Sequence, residues 1–396
     1  MYSEQCYRLG SNRSAIRELF EYGKKRAAVV GKENVYDFSL GNPTVPAPDC
    51  VKESIMELLN TASSIEIHGY TSAQGDADLR TALAEYYNAN YNTKFRADNF
   101  YITCGAAASL CIAFRALTES KEDEFVAIAP FFPEYRAFAE GNGATFRVVK
   151  PDTKDFQINM QELEKAINEH TKGVIINSPN NPSGVVYSEE TIQRLAELLV
   201  AKSVEFGHPI FLISDEPYRE IVYDGVHVPY VTKYYNDTIV CYSFSKSLSL
   251  PGERIGFVLV PDEVTESRNI YLTMCGAARV LGFVCAPSMF QKALIKCIGQ
   301  VGDINLYKMN RDLLYKELTH MGYECVNPQG AFYMFVKAMG GDSRAFCEKA
   351  KEMDLLLVAA DDFGCPGYVR ISYCVDKDMI ERSMKAFKKL AESYME

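Results

Sequence analysis

The stretch TIVCYSFSKSLSLPGERIGFVLV, residues 238–260, decides how the chain is read. It begins and ends on apolar runs, 238–243 and 255–260, rich in Ile, Val and Phe. Runs of about this length without polar alternation suit strands buried on both faces. Only residues 244–254 separate them, and a parallel crossover needs roughly a dozen residues or more. The second run is therefore expected to lie antiparallel to its neighbours. The link itself carries Lys246, Arg254 and the small residues Ser245 and Ser247.

Working outward, runs of the same kind recur at 100–104, 125–129, 145–149, 173–177 and 210–214. Between most of them lie amphipathic stretches, 106–117, 134–141, 160–169 and 189–206, with apolar residues at three-to-four spacing. Strand alternating with helix predicts an α/β fold with one seven-stranded, mainly parallel sheet sandwiched by helices. The tail differs. A long helical run is expected over 288–321, followed by strands at 331–336, 355–359 and 368–373 and helices at 342–353 and 376–394. That pattern predicts a smaller α+β domain. The expected division is 46–287 for the large domain, with 1–45 and 288–396 forming the small one.

The chain's 396 residues, 47% of them hydrophobic, suit two packed domains. Its net charge of −10 and lack of a Lys/Arg run argue against nucleic acid, which needs clustered positive charge. No apolar run approaches the roughly 20 residues of a membrane span, and the first residues lack the apolar core of a signal peptide. The twelve cysteines are scattered without CxxC spacing, so no metal site is expected and reduced thiols of a cytoplasmic protein are.

In open α/β sheets, ligands sit beyond the carboxyl ends of the strands. Gly105-Ala106-Ala107 follows the first run, and small residues opening a helix let backbone N–H groups approach an anion. Phe132 follows the second, Asn181 in SPNNPSG the fourth. Asp215 and Tyr218 in SDEPY follow the fifth; an Asp emerging from an apolar strand needs a cation nearby. Ser243, Ser245 and Lys246 follow the sixth, and a buried lysine becomes a nucleophilic amine. Taken singly, each has a plain alternative: a turn, a core aromatic, a simple loop, a structural ion pair, a surface lysine. Taken together, one end of one sheet carries an anion cradle, an aromatic, an amide, a carboxylate and a lysine.

These residues resemble the class I/II aminotransferases, the aspartate aminotransferase-like enzymes of the type I pyridoxal-phosphate fold. The resemblance runs from about Tyr36 to the C-terminus, and residues 243–256 fit every position of that family's lysine signature. It implies pyridoxal 5'-phosphate as cofactor, Lys246 as the Schiff-base lysine, and Asp215 as partner of the pyridine nitrogen. It further implies Tyr218 and Asn181 on the cofactor's 3-oxygen and Phe132 stacked on its ring. Its phosphate would be held by Gly105, Ala106, Ala107, Ser243, Ser245 and Arg254. Tyr70 in HGYTSAQG would reach the phosphate of a neighbouring subunit, making a homodimer with shared sites. Arg370 in GYVRISY would clamp the substrate α-carboxylate, and Gly41 in LGNP would lie on the loop that closes over it.

Two departures stand out. Ala107 occupies a position where some aspartate aminotransferases of the family carry a lysine for a distal carboxylate, and the chain has no tryptophan. Arg279 in GAARVLG, 33 residues after Lys246, is the alternative cation for that carboxylate. The activity implied is exchange of an amino group between an α-amino acid and a 2-oxo acid, with 2-oxoglutarate the expected acceptor and aspartate or a broad set as donor. A carbon–sulfur β-lyase or an aminocyclopropane carboxylate synthase-like enzyme would use the same residues. A transcription regulator that fuses this domain to a helix-turn-helix would need more than the 35 or so residues before the matched region.

Overall fold

A computed structural model describes residues 1–11 and 15–395. In chain order its strands are β1 (Tyr36–Asp37), β2 (Phe100–Thr103), β3 (Glu124–Ile128), β4 (Thr145–Val149), β5 (Thr171–Asn177), β6 (Phe211–Asp215), β7 (Thr238–Ser243), β8 (Gly256–Leu259), β9 (Tyr333–Lys337), β10 (Leu355–Leu356), β11 (Val358–Ala359) and β12 (Tyr368–Ser372). The large sheet runs β2-β8-β7-β6-β5-β3-β4. Only β8 is antiparallel, to β2 on one side and β7 on the other. The short link, residues 244–255, decides this, because it holds only a one-turn helix, Phe244–Ser247, and a tight return.

Period two places alternate residues of each strand in opposite cores. On β3, Phe125 and Ala127 join the core under helices Ala106–Leu117, Glu134–Gly141 and Ser267–Leu281. Val126 and Ile128 join the opposite one, under Met160–Ala166 and Glu189–Phe206. The same alternation on β7 divides Ile239 and Cys241 from Val240 and Tyr242.

A second body is built on β11-β12-β9, an antiparallel sheet, with β1 and β10 paired in parallel beside it. Its core gathers Phe332, Met334, Leu355, Ile371 and Phe387. Three expectations for this region are corrected. The helix expected over 288–321 is broken into Ser288–Leu294, a short 3-10 turn Ile295–Cys297, and Ile304–His320. Gly299, with φ +79°, and Gly302 interrupt it, and Asp303 caps the restart. The apolar spacing continues across the break because the two pieces fill different cores: Leu294 and Cys297 one, Tyr307 and Leu314 the other.

The strand expected at 355–359 is two strands. Leu355–Leu356 pairs with Tyr36–Asp37, and Val358–Ala359 pairs with β12, so the chain changes sheet at Leu357. The strand expected at 331–336 starts two residues late, because Ala331 is left-handed at φ +55°.

Candidate active site

Asp215 is the last residue of β6 and is buried. Tyr135, in the first turn of the helix that follows β3, donates a 2.5 Å hydrogen bond to its Oδ2. Asn177 at the end of β5 donates to the Asp215 backbone carbonyl at 2.8 Å. The other carboxylate oxygen, Oδ1, is buried with no protein partner. Burial pushes this carboxyl up to about 7; the Tyr135 hydrogen bond opposes the rise and the neighbouring Glu216 adds to it.

Lys246 lies in the one-turn helix after β7, and its Nζ donates to the Gly41 carbonyl at 2.7 Å. Burial pushes its amine down to about 8. The Cys374 thiol works against that shift, and the Arg370 and Arg254 cations reinforce it. Near it, Ser243 and Ser245 share a 2.7 Å hydroxyl contact, and Arg254 Nη1 donates to Ser245 Oγ at 3.4 Å and to the Pro251 carbonyl at 3.0 Å. Gly105, at φ +87°, opens helix Ala106–Leu117, whose first turn has no side-chain cap. Its positive φ favours glycine, and a Cβ there would stand 3.0 Å from Arg254 Nη2, so a side chain would crowd the guanidinium.

Arg370, in the middle of β12, is buried and reaches in from the smaller body. It donates to Asn181 Oδ1 at 3.1 Å and to the Ser39 carbonyl at 2.5 Å, while its Nε has no partner. Its guanidinium lies 4.7 Å from the Tyr333 ring centroid and 5.1 Å from that of Phe363. Tyr333 in turn meets Tyr218 at 3.0 Å, hydroxyl to hydroxyl. A cavity of about 520 Å³ lies between these groups.

The model of the aminotransferase class I and II family matches residues 33–387. The chain belongs to that family. A probable aspartate/prephenate aminotransferase of Aquifex aeolicus is 29% identical over 377 residues, 91% of each chain. The aspartate aminotransferase of Thermotoga maritima is 30% identical over 384 residues, 95% of this chain and 96% of that one. The crystal structure of an aminotransferase from Eubacterium rectale matches over the whole of both chains, with a TM-score of 0.98 and 64% identity.

As a class I/II aminotransferase the chain is a transaminase that depends on pyridoxal 5'-phosphate. Its residues fit that cofactor. A buried carboxylate oxygen without a donor is a strained arrangement in a bare protein and a suitable one opposite a protonated ring nitrogen. The serine pair, Arg254 and the uncapped helix start make a cradle of donors suited to a phosphate.

Of the residues singled out in the sequence, the cavity is lined by Lys246, Asp215 and Tyr218, by Ala106, Ala107, Ser243, Ser245 and Arg254, and by Phe132, Asn181, Gly41 and Arg370. Gly105 adjoins it through Arg254. Two residues stand apart. Tyr70 is 95% exposed and Arg279 is exposed near the end of helix Ser267–Leu281, and neither lines the cavity within one chain. Tyr333 and Arg17 also line the cavity, and Tyr135 touches it through Asp215. Tyr135 was open to inference, since it sits one helical turn after Phe132. Tyr333 and Arg17 carry no local signal, because only the meeting of distant segments brings them here.

Proposed function

We propose that this aminotransferase moves the amino group of an α-amino acid onto 2-oxoglutarate, with Lys246, Asp215 and Arg370 as the groups that act on cofactor and substrate. The observation that carries the reading is their convergence on one cavity: an amine lowered to about 8, a buried carboxylate with one oxygen free, and a buried guanidinium with Nε free. Bound pyridoxal 5'-phosphate supplies an electron sink for charge developing at the substrate Cα.

Lys246 holds the cofactor and then carries the proton to and from that carbon; an amine near 8 suits both attack and proton transfer at neutral pH. Asp215 keeps the ring nitrogen protonated, with Tyr135 fixing the carboxylate's orientation. Asn181 and Tyr218, which line the cavity, would hydrogen-bond the cofactor's 3-oxygen, and Phe132 would cover its ring. The Gly105–Ala106–Ala107 backbone, Ser243, Ser245 and Arg254 hold the phosphate. Arg370 takes the substrate α-carboxylate, a planar bidentate match, and the loop at Gly41 closes the mouth. Burial of both partners excludes water and strengthens each of these contacts.

The rest of the reading is structural. Residues 1–45 and 288–396 form one small domain and 46–287 the large one, a division supported by the pairing of Tyr36–Asp37 with Leu355–Leu356, while Leu294 and Cys297 still pack in the large domain's core. The enzyme is a homodimer in which Tyr70 reaches the partner's phosphate; Arg279 could meet substrate only across such an interface. It works in the cytoplasm, consistent with twelve unpaired cysteines. No helix among the described residues is long and apolar enough to cross a membrane.

The test is a half-reaction screen, following loss of the cofactor's visible band with each common amino acid and its return with single 2-oxo acids. Return of the band with 2-oxoglutarate is expected. Release of pyruvate and ammonia from cystathionine without any acceptor, and no return with 2-oxoglutarate, would overturn the reading.

A further inference from the structure

Among the described residues, the cavity lining carries four basic side chains, Lys246, Arg254, Arg370 and Arg17. The proposed function uses the first three, on the cofactor, its phosphate and the substrate α-carboxylate. Arg17 is left. It lies in the first turn of helix Ala15–Val30, is exposed, and makes no ion pair or hydrogen bond among the described residues.

Its helix is anchored to the body that holds Arg370. Arg26 forms a 2.6 Å ion pair with Asp354, and Lys351 stands 4.6 Å from the Tyr22 ring centroid. Ile16 and Leu19 pack against the cluster of Phe335, Val358 and Phe363, and Val358 is the register partner of Arg370. Arg17 and Arg370 are therefore two cations on one body, both facing one cavity. A substrate held at its α-carboxylate by Arg370 extends its side chain toward the remaining wall. That wall is Ile16, Phe20 and Phe132, with Arg17 at its edge.

The wall also settles how one site serves two kinds of side chain. Apolar surface suits a neutral one. A second carboxylate needs a cation once it leaves water, and Glu134, the one acid on this wall among the described residues, would repel it. Arg17 is the cation that answers that need, because Ala107 offers none and Arg279 does not line the cavity.

We infer that Arg17 is the specificity residue for the distal carboxylate of dicarboxylic substrates, binding it at the cavity mouth while Ile16, Phe20 and Phe132 accommodate neutral side chains. The inference rests on the aminotransferase reading above and names the group that would let it use 2-oxoglutarate. The charge is solvent-exposed until substrate covers it, so its contribution falls with added salt.

The experiment measures calorimetric dissociation constants of the holoenzyme for glutarate and for 3-phenylpropionate, two unreactive acids that differ in the distal group. Arg17→Ala should weaken glutarate by about tenfold or more and 3-phenylpropionate by less than about twofold, with Arg17→Lys recovering part of the loss. Equal losses for both probes, or no change for glutarate, would overturn the role. So would a selective loss in Arg279→Ala instead. Wild-type enzyme that returns its cofactor band with pyruvate but not with 2-oxoglutarate would remove the acceptor assignment. Wild type that uses 2-oxoglutarate while Arg17→Ala binds glutarate unchanged would remove Arg17 alone.

Discussion

Asp215 sets one requirement in the bare protein and another in the loaded one. Without a cation opposite Oδ1, its carboxyl rises from 3.8 to about 7, chiefly by burial. A carboxyl with a raised folded value binds its proton more tightly when folded than when unfolded. Cofactor-free protein therefore loses stability as pH climbs from about 4 to about 7, and the deficit persists above that range. Asp215→Asn removes the ionisable group and keeps the shape. In cofactor-free protein its unfolding free energy, from denaturant melts, should exceed the wild type's by a margin that widens between those pH values, on the order of a few kcal/mol at pH 8. In loaded protein the same change should cost roughly a thousandfold in half-reaction rate, about 4 kcal/mol of barrier. A margin that does not widen with pH, or a rate within tenfold of wild type, would refute the assignment. Asp215 and Lys246 were legible in the sequence because each sits in a short block at the end of an apolar run, and Arg254 because of its fixed spacing to Lys246 in a signature that resembles the family's. Tyr333 was not, because its hydroxyl reaches Tyr218 from 115 residues away along the chain. Distance along the chain hides that contact from any local pattern.

The elements that were legible are those whose local chemistry agrees with their tertiary role. Strands β3, β5, β6 and β7 have mostly apolar middles, are buried almost throughout, and lie inside the sheet rather than at its edges. The misread ones answer to partners that spacing cannot reveal. Leu355–Leu356 and Val358–Ala359 look like one strand until two different sheets claim them. The pairing of β7 with β8 has its own sharp requirement. Gly256 faces Ser243 in that ladder, and a Cβ there would stand 2.2 Å from the Tyr242 carbonyl oxygen and 3.0 Å from Gly105 Cα. These are backbone atoms with no rotamer to move, so the strand and the phosphate-facing loop must separate. Gly256→Ala should lower stability by roughly 2–4 kcal/mol in denaturant melts and speed cofactor loss on dilution. If stability drops but the cofactor stays bound as tightly, the strain does not reach the cradle and the coupling between β8 and Gly105 is wrong.

For the whole molecule, the decisive residue is one that does nothing in its own chain. Tyr70 is 95% exposed, on a segment that also exposes Ile65 at 85%. Ser288 Oγ donates to the Ile67 carbonyl at 2.7 Å and so ties this segment to the chain that follows Val280 and Val284, which are 71% and 38% exposed. Apolar side chains exposed together on tethered, ordered structure mark a surface that another molecule covers. In the proposed two-fold dimer its own copy would cover it, and each Tyr70 would reach the opposite site. The proposed arrangement has a consequence that no monomer could mimic. Lys246→Ala protein should be inactive, and Tyr70→Ala protein should lose cofactor faster than wild type. In a heterodimer of the two, one site combines the intact Lys246 of one subunit with the intact Tyr70 of the other. The second site lacks both. Equal mixing after reversible dissociation makes about half the dimers mixed, so about a quarter of wild-type sites should be restored. The measurement is cofactor retention and turnover of the mixture against the average of the separate variants. Activity equal to that average, at a concentration where light scattering shows exchanged dimers, would mean that Tyr70 serves its own chain or none, and the shared-site arrangement would fall.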